Sequence, residues 1–396
     1  VTRALVSLNA GSSSIKFALY RLDDAGQPIH VAGGAIEGIG IAPHLSVHAD
    51  DGTLANERRW PDGAGMSHED LLGALLDWVV PHLGDRTIVG IGHRVVHGGA
   101  DFAGPARIDD KVLVALDRLC PLAPLQQPHN LAAIRAMARL MPTVPQVASF
   151  DTAFHRGRAD ETTRFAIPRA LGDRGLVRYG FHGLSYAWIA RDLAQTRPDL
   201  AKARVLVAHL GNGASLCAMQ SGKSVDTTMG FTPIDGLVMG TRCGTLDAGL
   251  VLHLILREGM TAKAVETMLW QHSGLLGVSG LSSDMRVVQA SDSEAARQAV
   301  TLFVARIACE AAAQATSMGG IDALVFTAGI GEGDAMVRAR VIERLGWLGL
   351  TLDPVANAAN ARVISAADSR IPVMVIPANE DQMIALEAAK CLGFSA

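Results

Sequence analysis

Apolar residues recur along this chain at two spacings, and the switches between them mark out the elements. Residues 5–19, LVSLNAGSSSIKFAL, place two apolar runs on either side of a turn made of Asn, Gly and Ser, which predicts two short strands. The pattern returns at 204–219, RVLVAHLGNGASLCAM, with a third strand at about Lys223 to Asp226. Further short strands are expected between 29 and 60, and buried strands at 88–99 (IVGIGHRVVHGG), 143–149 and 371–377 (IPVMVIP). DALVFTAGIGE (322–332) ends another buried strand in a glycine-rich turn before a helix. Helical spacing dominates 68–83, where positions 71, 72, 75, 76, 79, 80 and 83 keep one face apolar and Ser67 with Asp70 forms a capping box. Helices are also predicted at 110–118, 129–140, 246–257, 292–318 (capped by Ser291 and Glu294) and 380–392.

Two strand and turn units about two hundred residues apart predict an α/β protein with a duplicated domain, 1–150 and 151–380, each half offering a phosphate loop to a shared cleft. The length of 396 residues suits two domains. With 49% hydrophobic and 19% charged residues the composition is that of a globular enzyme, and 41 glycines point to many tight backbone sites. A net charge of −4, with no basic run and no aromatic platform, gives nucleic acid nothing to bind. No apolar stretch reads as a membrane span and the first residues enter a strand directly, so a cytoplasmic protein is expected. Cys120, Cys217, Cys243, Cys309 and Cys391 are scattered without CxxC spacing, which implies neither a zinc site nor a disulfide framework.

The turns carry the chemistry. In the first, Gly11 admits a ligand close to the backbone, Ser12, Ser13 and Ser14 bring hydroxyls, and Lys16 brings a point charge, a set suited to a phosphate chain. An ordinary hairpin uses the same residue types, and the second copy (Gly211, Asn212, Gly213, Ser215) favours phosphate. The third element, 322–332, could hold a nucleotide on backbone amides. Neither a Rossmann GxGxxG nor a Walker GxxxxGK[ST] is present. Arg94 and Arg242 stand beside glycines, where a guanidinium can reach a phosphoryl group or a carboxylate. His93 and His97 have the spacing of a zinc pair but lack a third ligand.

Over nearly its whole length the chain resembles the acetokinase family of the acetate and sugar kinase, Hsp70 and actin superfamily. The matching strings are NAGSSSIKFAL, GHRVVHGG, PLAPL, FDTAFH, YGFHGLSY, HLGNGAS, DTTMGFTPIDGLVMGTRCG, SGLLGVSG, FTAGIGE and the NE of NEDQ. The resemblance implies two ribonuclease H-like domains in the actin-like arrangement, with a C-terminal helix, 381–396, packing back on the first. It implies a catalytic set of Arg94, Asp151, His182 and Arg242, and Mg²⁺ (with Mn²⁺ able to substitute) on Asn9 and Glu380. Phosphate and nucleotide contacts fall to Ser12, Ser14, Lys16, His209, Leu210, Gly211, Asn212, Gly213, Gly329, Ile330, Gly331 and Glu332. Val96, Leu125, Phe181 and Pro233 match the pocket for the acyl methyl group. The implied reaction is reversible in-line transfer from ATP to acetate, giving acetyl phosphate and ADP, in a homodimer.

Carboxylate chemistry agrees with that reading. A carboxylate is ionised at neutral pH and needs no general base, whereas a sugar hydroxyl needs one, a part open to Asp151. Propionate kinase and a nucleotide-switched binding protein are the other readings. Three positions depart from the family pattern: Gln126 replaces a histidine, Gly333 an asparagine and Thr245 an aspartate. Gln126 cannot carry a histidine's charge, and Gly333 leaves pyrophosphate open as a donor beside ATP.

Overall fold

The computed structural model describes residues 2–83 and 86–395, so position 396 of the expected C-terminal helix lies outside it. The chain divides into two compact units, Val1–Phe154 with Asn379–Ala396, and His155–Ala378. The boundary falls after Phe154 where the sequence suggests 150, and Asn379 and Glu380 rejoin the first unit. Asp151 stays with that unit because its backbone N–H donates to the Val95 carbonyl and its carboxylate grips Arg94.

In the first unit the strands are β1 (Thr2–Ala10), β2 (Ser14–Leu22), β3 (Pro28–Glu37), β4 (His44–Ala49), β5 (Leu54–Arg59), β6 (Arg86–Val95), β7 (Ala106–Arg107) and β8 (Gln146–Phe150). They form one sheet in the order β5-β4-β3-β2-β1-β6-β8-β7. The second unit holds β9 (Arg204–Leu210), β10 (Ala214–Gln220), β11 (Lys223–Thr227), β12 (Ala323–Thr327) and β13 (Val373–Val375), in the order β11-β10-β9-β12-β13. The run β3-β2-β1-β6-β8 repeats as β11-β10-β9-β12-β13. In each, a three-stranded antiparallel meander pairs through its first strand with two parallel strands. The duplication legible in two turns is therefore a duplication of a five-stranded core.

Successive residues of β1 are buried because both sheet faces are covered. Ala4, Val6 and Leu8 pack with Leu71, Leu75 and Met137 from helices His68–His82 and Gln127–Leu140, while Leu5 faces the other way to meet Tyr20, Ala385 and Ala389. That second face is covered by helix Glu380–Cys391. Its approach explains the glycines of β6: a Cβ on Gly92 would sit 2.6 Å from Ile384 Cγ2. The helix stops at Cys391, short of 396, because Gly393 takes a left-handed turn with φ 75°. In the second unit Glu294–Ser317 is long and apolar enough to cross a membrane, against the expectation that no stretch is. It buries Ala299, Val300, Phe303, Val304 and Ile307, and it packs on β10, as a core helix does.

Three other local readings change. The predicted strand 88–99 ends at Val95, because the N–H groups of Val96, His97 and Gly98 turn to the side chains of Asn130, Gln127 and Thr152. Ser293, not Ser291, caps Glu294–Ser317 by accepting from Ala296 N, and Ser291 is spent on Ser293. The glycine stretch after β12 is itself helical, Ala328–Gly333.

Candidate active site

In the first unit the sheet brings together residues far apart in sequence. Arg94, at the end of β6, places Nε 2.9 Å from Asp151 Oδ1 and Nη2 2.6 Å from Asp151 Oδ2, a two-pronged ion pair. Its remaining nitrogen, Nη1, donates to Asn9 Oδ1 at 3.3 Å and lies 3.7 Å from a Glu380 oxygen. Burial would lower the Arg94 pKa, but Asp151, Glu380 and Asp381 outweigh it and raise it above the ordinary arginine value. Burial, helped by Glu380, lifts the Asp381 carboxyl above the usual range, against the Ser7 hydroxyl, Lys16 and Arg94. Lys16 faces Asn9 across the β1–β2 ladder, and the turn between them is closed by Gly11 N donating to Ser14 O, leaving Ser12 exposed at the tip.

Both oxygens of Asp151 are engaged by Arg94, so the carboxylate acts as the arginine's holder, which is poor geometry for a general base. Asn9 and Glu380 each offer a side-chain oxygen, the donor type a Mg²⁺ takes when phosphates and waters complete its shell. Among the described residues no three His, Cys, Asp or Glu side chains gather as a metal cage. His93 lies beside Gln146 at 2.6 Å and His97 accepts from Gly99 N, so that pair is turned to protein partners.

Sequence reasoning missed the parts that hold this set. Asn130 is buried and bridges the strand ends, its Nδ2 donating to Ala10 O at 2.6 Å and its Oδ1 accepting from Val96 N. Gln127 does the same for His97, accepting from its N–H and donating to its carbonyl. The available signal was two amides in the first turn of an otherwise amphipathic helix.

The second unit gathers its own set around the turn after β9. His182 caps helix Gly183–Thr196 in a left-handed conformation (φ 59°), with Nδ1 2.8 Å from Ser215 Oγ and its ring stacked on His209 at 4.1 Å. Arg242 Nη1 donates to the Pro233 carbonyl. A Cβ on Gly213 would lie 2.7 Å from Arg242 Nη2 and 3.3 Å from His182 Nε2, so only glycine lets both side chains reach the turn. Leu210 is buried in the strand beneath. Of the expected methyl-pocket residues, Val96 and Leu125 belong to the first unit and Phe181 and Pro233 to the second; all but half-buried Leu125 are buried.

β9 and β12 are parallel neighbours, His209 opposite Thr327, so the turns following them lie side by side. Between them opens a cavity of about 760 Å³, a volume suited to a small ligand, lined by Gly211, Asn212, Gly329, Ile330, Gln289 and Asp334 among others. His209, Leu210, Gly213, Gly331 and Glu332, expected with these, do not line it; the Glu332 carboxylate accepts from Ala378 N. Ala328 enters the glycine helix at φ 64°, a costly conformation for a residue with a Cβ.

Comparison with known proteins bears on this arrangement. The acetokinase family profile matches residues 4–386. An acetate kinase of Rhodopseudomonas palustris is 49% identical over 96% of this chain and 96% of its own. Among solved structures, a propionate kinase from Francisella tularensis superposes with a TM-score of 0.89 at 36% identity, covering 98% of this chain and 99% of that one. An acetate kinase from Porphyromonas gingivalis gives a TM-score of 0.84 at 32% identity, covering 98% and 100%.

Proposed function

Since the chain belongs to the acetokinase family, we propose that it transfers the γ-phosphoryl group of ATP reversibly to acetate. A carboxylate oxygen bonds to the γ-phosphorus as the bond to the β,γ-bridging oxygen breaks, which yields acetyl phosphate and ADP with no proton to remove. The observation that carries this reading is Arg94, a cation held rigid by Asp151 with Asn9 and Glu380 around its remaining nitrogen. Such a group neutralises and aligns an anion and abstracts nothing.

In the first unit Arg94 would orient the carboxylate, and Lys16 with the Ser12 and Ser14 hydroxyls would meet phosphate oxygens. Asn9 and Glu380 would hold a Mg²⁺, or Mn²⁺ in its place, which when bound neutralises charge on the phosphate chain. In the second unit the cavity beside Asn212 and Gly329 would take the nucleotide, and His182 and Arg242 would donate hydrogen bonds to the transferring group. The apolar side chains of Val96, Leu125, Phe181 and Pro233 would limit the acyl chain.

Formation of acyl hydroxamate from ATP, Mg²⁺ and hydroxylamine tests the assignment. It should depend on added acetate, and hydroxamate that is absent or independent of acetate contradicts it. Propionate is the second reading, favoured by the close superposition on a propionate kinase.

The protein would work as a homodimer in the cytoplasm. The dimer is supported by helix Ala248–Leu256, AGLVLHLIL, which has no buried residue and exposes Leu250, Leu252 and Leu256 by 44%, 56% and 70%. A second copy is the natural cover for so apolar a helix, whose one titratable side chain, His253, is paired with Glu258.

A further inference from the structure

Arg338 is 0% exposed, a large charged side chain in a place usually given to an apolar one. It lies on helix Ala335–Arg344, just beyond the glycine helix. All its nitrogens are engaged, none by a carboxylate. Nη1 donates to the carbonyls of Gly331 (2.9 Å) and Glu332 (2.7 Å), Nε to Asn357 Oδ1 (2.7 Å), and Nη2 to Asn357 O (2.8 Å) and Asn360 Oδ1 (2.5 Å). Asn357 is braced in turn, its Nδ2 donating to Ala335 O.

An arginine that served packing alone could be replaced by an apolar side chain at little cost. This one gives a single nitrogen, Nη1, to both carbonyls of the segment whose neighbours, Gly329, Ile330 and Gly333, line the cavity, while its other nitrogens are anchored on Asn357 and Asn360. Guanidinium stays protonated even when buried. It makes no direct ion pair, and the carboxylate that acts on it is Asp334, which itself lines the cavity. At the opening of the turn Ala328 is held at φ 64°, a conformation that persists only where neighbours enforce it.

We propose that Arg338 is the positioning residue of the nucleotide site: by tying back the Gly331 and Glu332 carbonyls to Asn357 and Asn360 it fixes the shape of the glycine segment that lines the nucleotide cavity. This rests on the nucleotide reading of the cavity.

The test is calorimetric titration of the full chain with Mg·ADP, beside KM for acetate and a thermal melt. Arg338→Lys keeps the charge but cannot span both carbonyls and the two asparagines. It should weaken ADP binding at least about tenfold while KM for acetate stays within about twofold, a split that mere loss of stability does not produce. Asn360→Gly keeps the left-handed backbone and removes one brace. It should weaken ADP binding about threefold in a protein that folds normally, and it decides the matter if Arg338→Lys does not fold. Folded variants that bind ADP like wild type overturn the proposal alone, whereas a wild-type protein that binds no ADP overturns the nucleotide reading together with it.

Discussion

Arg94 shows how far a residue's role can be read before its partners are known. Its place beside glycines marked it as a group free to reach an anion, but nothing in HRVVHGG tells that Asp151, fifty-seven positions on, holds it by both oxygens. The pairing arises because β6 and β8 are parallel neighbours, with Val95 opposite Phe150. If the fork matters and not charge alone, Arg94→Lys should fall nearly as far as Arg94→Ala, both by about 10² to 10⁴ in turnover. Steady-state rates of acetate-dependent ADP release measure this, and a lysine variant close to wild type would show that a point charge suffices. Asn130 was illegible for a different reason. An amide in the first turn of a helix is as much at home facing solvent, and only the sheet beneath makes it a bridge from Ala10 to Val96.

Whole elements were more legible than their ends. Capping and periodicity located the helix over His68–His82, and its capping box is present as expected. Glu294–Ser317 was also expected, but two serines near its start competed for the cap. The structure gives that role to Ser293, so Ser293→Ala should cost about 1 kcal/mol of unfolding free energy in denaturant melts and Ser291→Ala less. The reverse order would restore the sequence-based cap. Helix Glu380–Cys391 carries a feature no periodicity reveals. Burial, with a smaller push from Asp151 and against the Ser149 hydroxyl, raises the Glu387 carboxyl from 4.5 to about 7. The folded state thus favours the protonated form. Its contribution is fully present below the unfolded value of 4.5 and is lost as pH rises through about 7. Glu387→Gln should therefore stabilise the protein by on the order of 1–3 kcal/mol at about pH 8, and the gain should shrink toward about pH 5. A gain that is equal at both pH values would mean that Glu387 is not titrating there.

At the scale of the molecule, two turn motifs were enough to foretell a duplication, because strand order follows from the meander and crossover that each motif begins. Fold and family were thus legible; the supporting contacts were not, since they join side chains that only the folded sheet makes neighbours. The proposed dimer makes a separate demand: Leu252→Lys with Leu256→Glu should yield monomers in sedimentation velocity, and an unchanged sedimentation coefficient would place the interface elsewhere. The central claim is acetate phosphorylation, and kcat/KM for acetate against propionate, measured with the hydroxylamine trap, tests it most directly. One methylene in an apolar pocket is worth about 1–3 kcal/mol, so acetate should exceed propionate by roughly ten- to two-hundredfold, with Val96→Ala narrowing the ratio. Propionate used as well as acetate or better would contradict the account and make the chain a propionate kinase.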